Sequence, residues 1–96
     1  MELKDFAKEA DLLKTLGHPI RLNILSVLLE EDACVKNIWG GLDIPQATVS
    51  QHLAILKNKR IVMAHREGVM VRYSVTDPRM RKIIEALKEE DEDASL

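Results

Sequence analysis

Apolar residues recur at three- and four-residue intervals through Leu3, Phe6, Ala7, Ala10 and Leu13, with Leu12 and Leu16 beside them. That period lays one apolar stripe along a helix. Gly17 closes this helix, and Pro19, whose missing N–H is no loss at a helix start, opens the next. Ile20, Leu22, Ile24, Leu25, Val27, Leu28 and Leu29 then follow so densely that the second helix is apolar on most sides, which marks it as the central core helix. Glu30-Glu31-Asp32 ends it, and Asp32 suits the cap of a short third helix from about Ala33 to Trp39. Gly40-Gly41 predicts a sharp turn and Pro45 a new start. Val49, Leu53, Ile55 and Leu56 predict a fourth helix running to about Asn58. Two short helices joined by a glycine-containing turn make a helix-turn-helix pattern.

Beyond Asn58 the period changes to two. Residues 61–66 and 69–75 are rich in β-branched side chains and flank Glu67-Gly68, so they read as a hairpin. Asp77 caps and Pro78 opens a last helix, with Met80, Ile83, Ile84 and Leu87 on one stripe. The predicted fold is mainly α with a β-hairpin wing. It is a winged helix-turn-helix in the order helix, helix, helix, helix, strand, strand, helix. Residues 1–88 form the domain, and 89–96 form an acidic tail kept disordered by its own repulsion. The first and last helices are not needed to complete a three-helix core. Their stripes are expected to pack on a second copy, with Ile84 in the seam.

Size supports the dimer. At 96 residues and 10.9 kDa the chain is one small domain. Such a chain buries only about 60–65% of its unfolded surface, so its own core is marginal. Cys34 is the one cysteine, which excludes an internal disulfide, and His18, His52 and His65 lack finger-type spacing. Oligomerisation remains as the stabiliser. A chain 46% hydrophobic is too apolar for disorder, and its apolar runs are too short to span a membrane. The N-terminus has no apolar signal segment, so a cytoplasmic location is expected, where a free thiol persists. Aromatic residues make up 3%, against base stacking on single strands. No nucleophile–base pair and no Gly-rich phosphate loop can be placed, so the protein is not read as an enzyme.

Charge is unevenly spread. The net charge of −2 conceals residues 57–82, where eight Lys/Arg face Glu67 and Asp77 for a net +6. Exposed charges are screened beyond about 8 Å at physiological salt, so a surface made from this stretch looks basic whatever the pI. Nucleic acid is one partner for such a surface; an ordinary solvated face is the other reading.

Three runs of sequence then carry a resemblance. Residues 16–25, LGHPIRLNIL, residues 45–53, PQATVSQHL, and the wing pair 66–68 and 72–75, REG and RYSV, resemble the entry helix, recognition helix and wing of the ArsR/SmtB family of bacterial repressors. The match runs in register from about residue 7 to 88. It implies a homodimeric winged helix that binds double-stranded DNA at an inverted-repeat operator and is released by an inducer. By position it implies that Gln46, Ala47, Ser50 and Gln51 face the major groove. Their chemistry suits base edges: Gln pairs with adenine N6 and N7, Ser donates or accepts, and Ala meets a thymine methyl. It also implies phosphate contacts from Thr48, His52, Lys57, Arg66 and Arg72.

The inducer is not implied. The family's thiolate run on the third helix reads here Cys34-Val35-Lys36-Asn37-Ile38-Trp39, and one thiolate is too few for a soft metal. Its site on paired last helices falls on Asp77, Arg79, Glu90 and Asp93, with both histidines missing, so no metal and no cofactor is expected. Cys34 has two readings. One is a small, half-buried residue in the first turn of a helix. The other is a redox or reactive-sulfur sensor, its pKa lowered by the helix N-terminus and Lys36. A rival to DNA binding also stays open, a winged-helix module that binds protein; the basic wing segment argues against it.

Overall fold

Residues Ala7–Leu16 form α1, whose first turn is held by Asp5 Oδ1 accepting from the Ala7 N–H at 3.0 Å. The computed structural model describes residues 3–30, 33–34, 38, 40 and 42–94. After Gly17 the chain turns at once into α2 (Pro19–Glu30). His18 caps α2 twice: its carbonyl accepts from Leu22 N–H at 3.1 Å and its Nδ1 from Ile20 N–H at 3.1 Å. Ile24, Leu25 and Leu28 of α2 are buried and form the middle of the core.

The third element departs from expectation. Ala33–Cys34 is a short strand, β1, and not the opening turn of a helix. Helical backbone is present at Ile38, Gly40 and Leu42, where the sequence predicts a turn at Gly40. The chain turns instead at Asp43, with φ of 54°, a left-handed conformation that the short Asp side chain tolerates. The expected cap Asp32, Lys36, Trp39 and Gly41 lie outside the described residues.

The recognition-type helix, α3 (Gln46–Asn58), starts after Pro45, whose carbonyl accepts from the N–H groups of Thr48 and Val49. It ends with Ile61 N–H donating to Leu56 C=O and Arg60 N–H to Lys57 C=O, both at 3.0 Å. That pair of bonds is a Schellman cap, with Arg60 at the left-handed position, φ 61°.

The hairpin follows as β2 (Val62–Glu67) and β3 (Met70–Val75), paired antiparallel from Val62–Val75 to Glu67–Met70. Gly68 has φ of 62° and Val69 stays at negative φ, which fits a two-residue II′ turn. On the other side of β3, Ala33 pairs with Tyr73 and Cys34 with Arg72, giving a sheet of order β1-β3-β2. Asp77 caps α4 (Arg79–Ala94) by accepting from the Arg79 N–H at 3.0 Å.

Two expectations about the end helices need correction. Leu16 of α1 and Met80 and Ile84 of α4 are buried in this chain's own core, with Val49, Leu53 and Leu56 of α3 and Ile61 and Val62. A stripe of apolar residues shows that a face is covered but not by what. Ile84 therefore belongs to the monomer and not to a seam. In addition, α4 continues through Ala94, so the backbone of the acidic run at 89–94 is helical where a disordered tail was expected. Glu, Ala and Lys are strong helix formers, and here propensity outweighs like-charge repulsion.

Candidate nucleic-acid interface

The 3.6-residue period divides α3 cleanly. Val49, Leu53 and Leu56 are buried, while Gln46, Ala47, Ser50 and Gln51 are exposed along one row that Ala54 continues. The row carries two amides, a hydroxyl and methyl groups, with no charge. An uncharged donor–acceptor row on a helix that stands on a packed base is suited to base edges. Thr48 is half-buried at the start of the helix, and Lys57 is exposed in its last turn.

A phosphate contact is implied for His52. The residue is half-buried, and its Nδ1 accepts from Arg21 Nε at 3.1 Å. Its ring lies 4.4 Å from that of His18, tilted by 44°. Arg21 also donates from Nη1 to the Thr15 carbonyl at 2.9 Å. Burial holds the His52 imidazole below its usual range, and the nearby His18 and Arg21 lower it further. Along the sequence Arg21 and His18 stand out only as part of the LGHPIR run, with no role attached. The signal available is a donor and two acceptors in one motif; their partner on α3 lies 31 positions downstream of Arg21.

The wing sets its two arginines on opposite faces, because Arg66 and Arg72 oppose Val71 and His65 respectively. Arg66 is exposed and, among the described residues, makes no ion pair. Arg72 reaches Glu67, Nε to Oε2 at 3.3 Å. Beside it, His65 Nε2 and Ser74 Oγ are in hydrogen-bond contact at 3.3 Å. The tip residue Val69 is 98% exposed.

The basic stretch 57–82 is not one surface. Lys59 is paired with Asp11 of α1 at 3.1 Å, and Arg79 grips Asp77 with two bonds of 3.0 and 2.7 Å. Arg81 donates to the Leu29 carbonyl and lies 3.7 Å from Glu85. Half of the eight cations thus have partners within the fold, Arg72 included. The Arg79 guanidinium, through its hydrogen bonds, holds the Asp77 carboxyl below the usual carboxylate range. That carboxylate is the first of the four positions where the family's last-helix metal site would fall, and it is already occupied. Cys34 lies in β1 and not at a helix N-terminus, which removes the dipole argument for a reactive thiol.

Comparison with known proteins places these features. Residues 18–63 match the family model described as bacterial regulatory protein, arsR family. The chain is 40% identical over 88 residues to an HTH-type transcriptional regulator of Methanocaldococcus jannaschii, covering 91% of this chain and 99% of that protein. It is likewise 40% identical over 88 residues to the transcriptional repressor PagR of Bacillus anthracis, covering 91% and 85%. The solved structure of HlyU from Vibrio cholerae, a protein named as a transcriptional activator, superposes with a TM-score of 0.80. Identity there is 34%, over 91% of this chain and 94% of that one.

Proposed function

The chain belongs to the arsR family of bacterial regulatory proteins, and from that premise we propose that it is a transcriptional repressor binding an inverted-repeat operator as a homodimer. The observation that carries the reading is the exposed row Gln46, Ala47, Ser50 and Gln51, backed by the buried Val49, Leu53 and Leu56. In a symmetric dimer two α3 helices enter major grooves about 34–36 Å apart. Gln46 and Gln51 then read adenine edges, Ser50 a donor or acceptor, and Ala47 a thymine methyl. Thr48, Lys57 and Arg66 hold phosphates and fix the register, and Arg72 joins them from the other face of the wing. His52 acts from behind the reading surface.

Repression follows from occupancy of the operator. PagR is named a repressor and HlyU an activator, so a reporter assay fixes the sign. A metal at the family's last-helix site is not the expected inducer, since the aligned positions Asp77, Arg79, Glu90 and Asp93 lack both histidines, and Arg79 hydrogen-bonds Asp77. Zinc, cadmium and arsenite are expected to leave operator affinity unchanged.

Footprinting on DNA upstream of the protein's own gene tests the reading, with Gln51→Ala as the discriminating variant. It should cost about 1–3 kcal/mol at the operator and little on random DNA. Equal losses on both would show that α3 does not read bases. Loss of neither would favour the protein-binding module.

A further inference from the structure

Two imidazoles and one guanidinium meet where α1, α2 and α3 converge. Arg21 of α2 donates to His52 Nδ1 of α3 at 3.1 Å and to the Thr15 carbonyl of α1 at 2.9 Å. His18, at the cap of α2, accepts from the Ile20 N–H on its own Nδ1 at 3.1 Å, and its ring lies against that of His52. A guanidinium and a backbone amide only donate. His52 Nδ1 must therefore present a lone pair to Arg21, and that bond requires the His52 ring to be neutral. A proton on His52 Nδ1 would turn an acceptor into a donor that faces a fixed positive charge. The broken hydrogen bond, the burial of the ring and the repulsion from Arg21 all act in one direction. The charged and titratable groups facing His52 are Arg21 and His18, both from the α2 side. From α1 the junction meets the Thr15 carbonyl, and among the described residues no carboxylate offsets the charge.

We propose that this junction is a proton-operated latch on the recognition helix: neutral, it locks α3 to α2 and α1, and protonation of His52 frees α3 and weakens DNA binding. The DNA half of this inference rests on the function proposed above. His52 directly follows Ser50 and Gln51, so any movement of its ring is passed to the reading row. Burial keeps the ring neutral near pH 7. The latch is then closed at neutral pH and opens on acidification.

The test compares the wild type with His52→Asn. The Asn Oδ1 stands where Nδ1 stood and accepts the Arg21 bond, but it does not titrate. Operator affinity of the wild type should be level above pH 6.5 and fall about tenfold as pH drops further, while that of His52→Asn changes less than about twofold. Amide exchange of α3, corrected for its intrinsic pH dependence, should accelerate over the same range in the wild type alone. Parallel profiles for the two proteins overturn the latch. If neither protein binds DNA at any pH, the DNA-binding reading fails, and α3 exchange alone decides whether the junction opens. A check that needs no variant is available in the wild type. The imidazole titration of His52 must share its midpoint with α3 exchange, and separate midpoints reject the proposal.

Discussion

Arg60 stands at a backbone position that glycine usually fills. Its φ of 61° completes the Schellman cap of α3, and a side chain there costs about 1 kcal/mol relative to glycine. Arg60→Gly should therefore raise stability by about 1 kcal/mol in urea denaturation, without a change in m-value. His52 makes a prediction of opposite kind. Its folded pKa lies below the ordinary 6.5, so the unfolded chain binds the proton more tightly. The stability this gives is complete above pH 6.5 and is lost as pH falls below it. His52→Asn should flatten the stability profile in that window. Asp77 acts at lower pH, since its hydrogen bonds from Arg79 hold its pKa below 3.8. Its contribution is complete above that value and fades only as pH falls further. At this scale the outward residues of α3 were legible, because the period marks Val49, Leu53 and Leu56 as the buried stripe and the family resemblance assigns Gln46, Ala47, Ser50 and Gln51 to the reading face. The inward turn of His52 was not, because its partners come from another helix.

At the level of elements the wing carries the clearest test. Gly68 occupies the first central position of the turn with φ of 62°, a conformation costly for any residue with a Cβ. Gly68→Ala should destabilise the hairpin by about 1–3 kcal/mol, read as faster amide exchange in β2 and β3 ahead of the helices. Arg66 is exposed and, among the described residues, free of an ion pair. Arg66→Ala should weaken all DNA sequences alike and reduce the salt slope by about 0.9 for each phosphate it no longer neutralises, one per wing of the dimer. The hairpin was legible from its period of two and its Glu-Gly pair. The strand β1 was not. Two residues carry no periodicity, and Ala33–Cys34 becomes a strand only because β3 offers them an open edge.

The whole molecule leaves apolar surface uncovered. Leu13 and Phe6 are each 59% exposed, and Leu87 of α4 is 52% exposed. These residues, and not the buried Ile84, are what a second copy would cover. Leu13→Glu should leave the circular dichroism of the fold intact and yield a monomer in sedimentation at micromolar concentration. Ile84→Glu should instead unfold the chain, costing more than about 3 kcal/mol by placing a charge in the core. A Leu13→Glu protein that remains dimeric would show that another face forms the contact.

By itself the sequence determined the order of the main helices, the hairpin and the face α3 turns outward. Periodicity, Gly and Pro punctuation and capping residues act over a few neighbouring positions, and so they can be read along the chain. Only the tertiary structure decided what covers each apolar stripe, which drew Met80 and Ile84 into the chain's own core. It alone set Ala33–Cys34 beside β3, split the basic stretch into paired and unpaired cations, and brought His18, Arg21 and His52 together. Contacts across tens of residues depend on how the elements pack, and no local period records that packing.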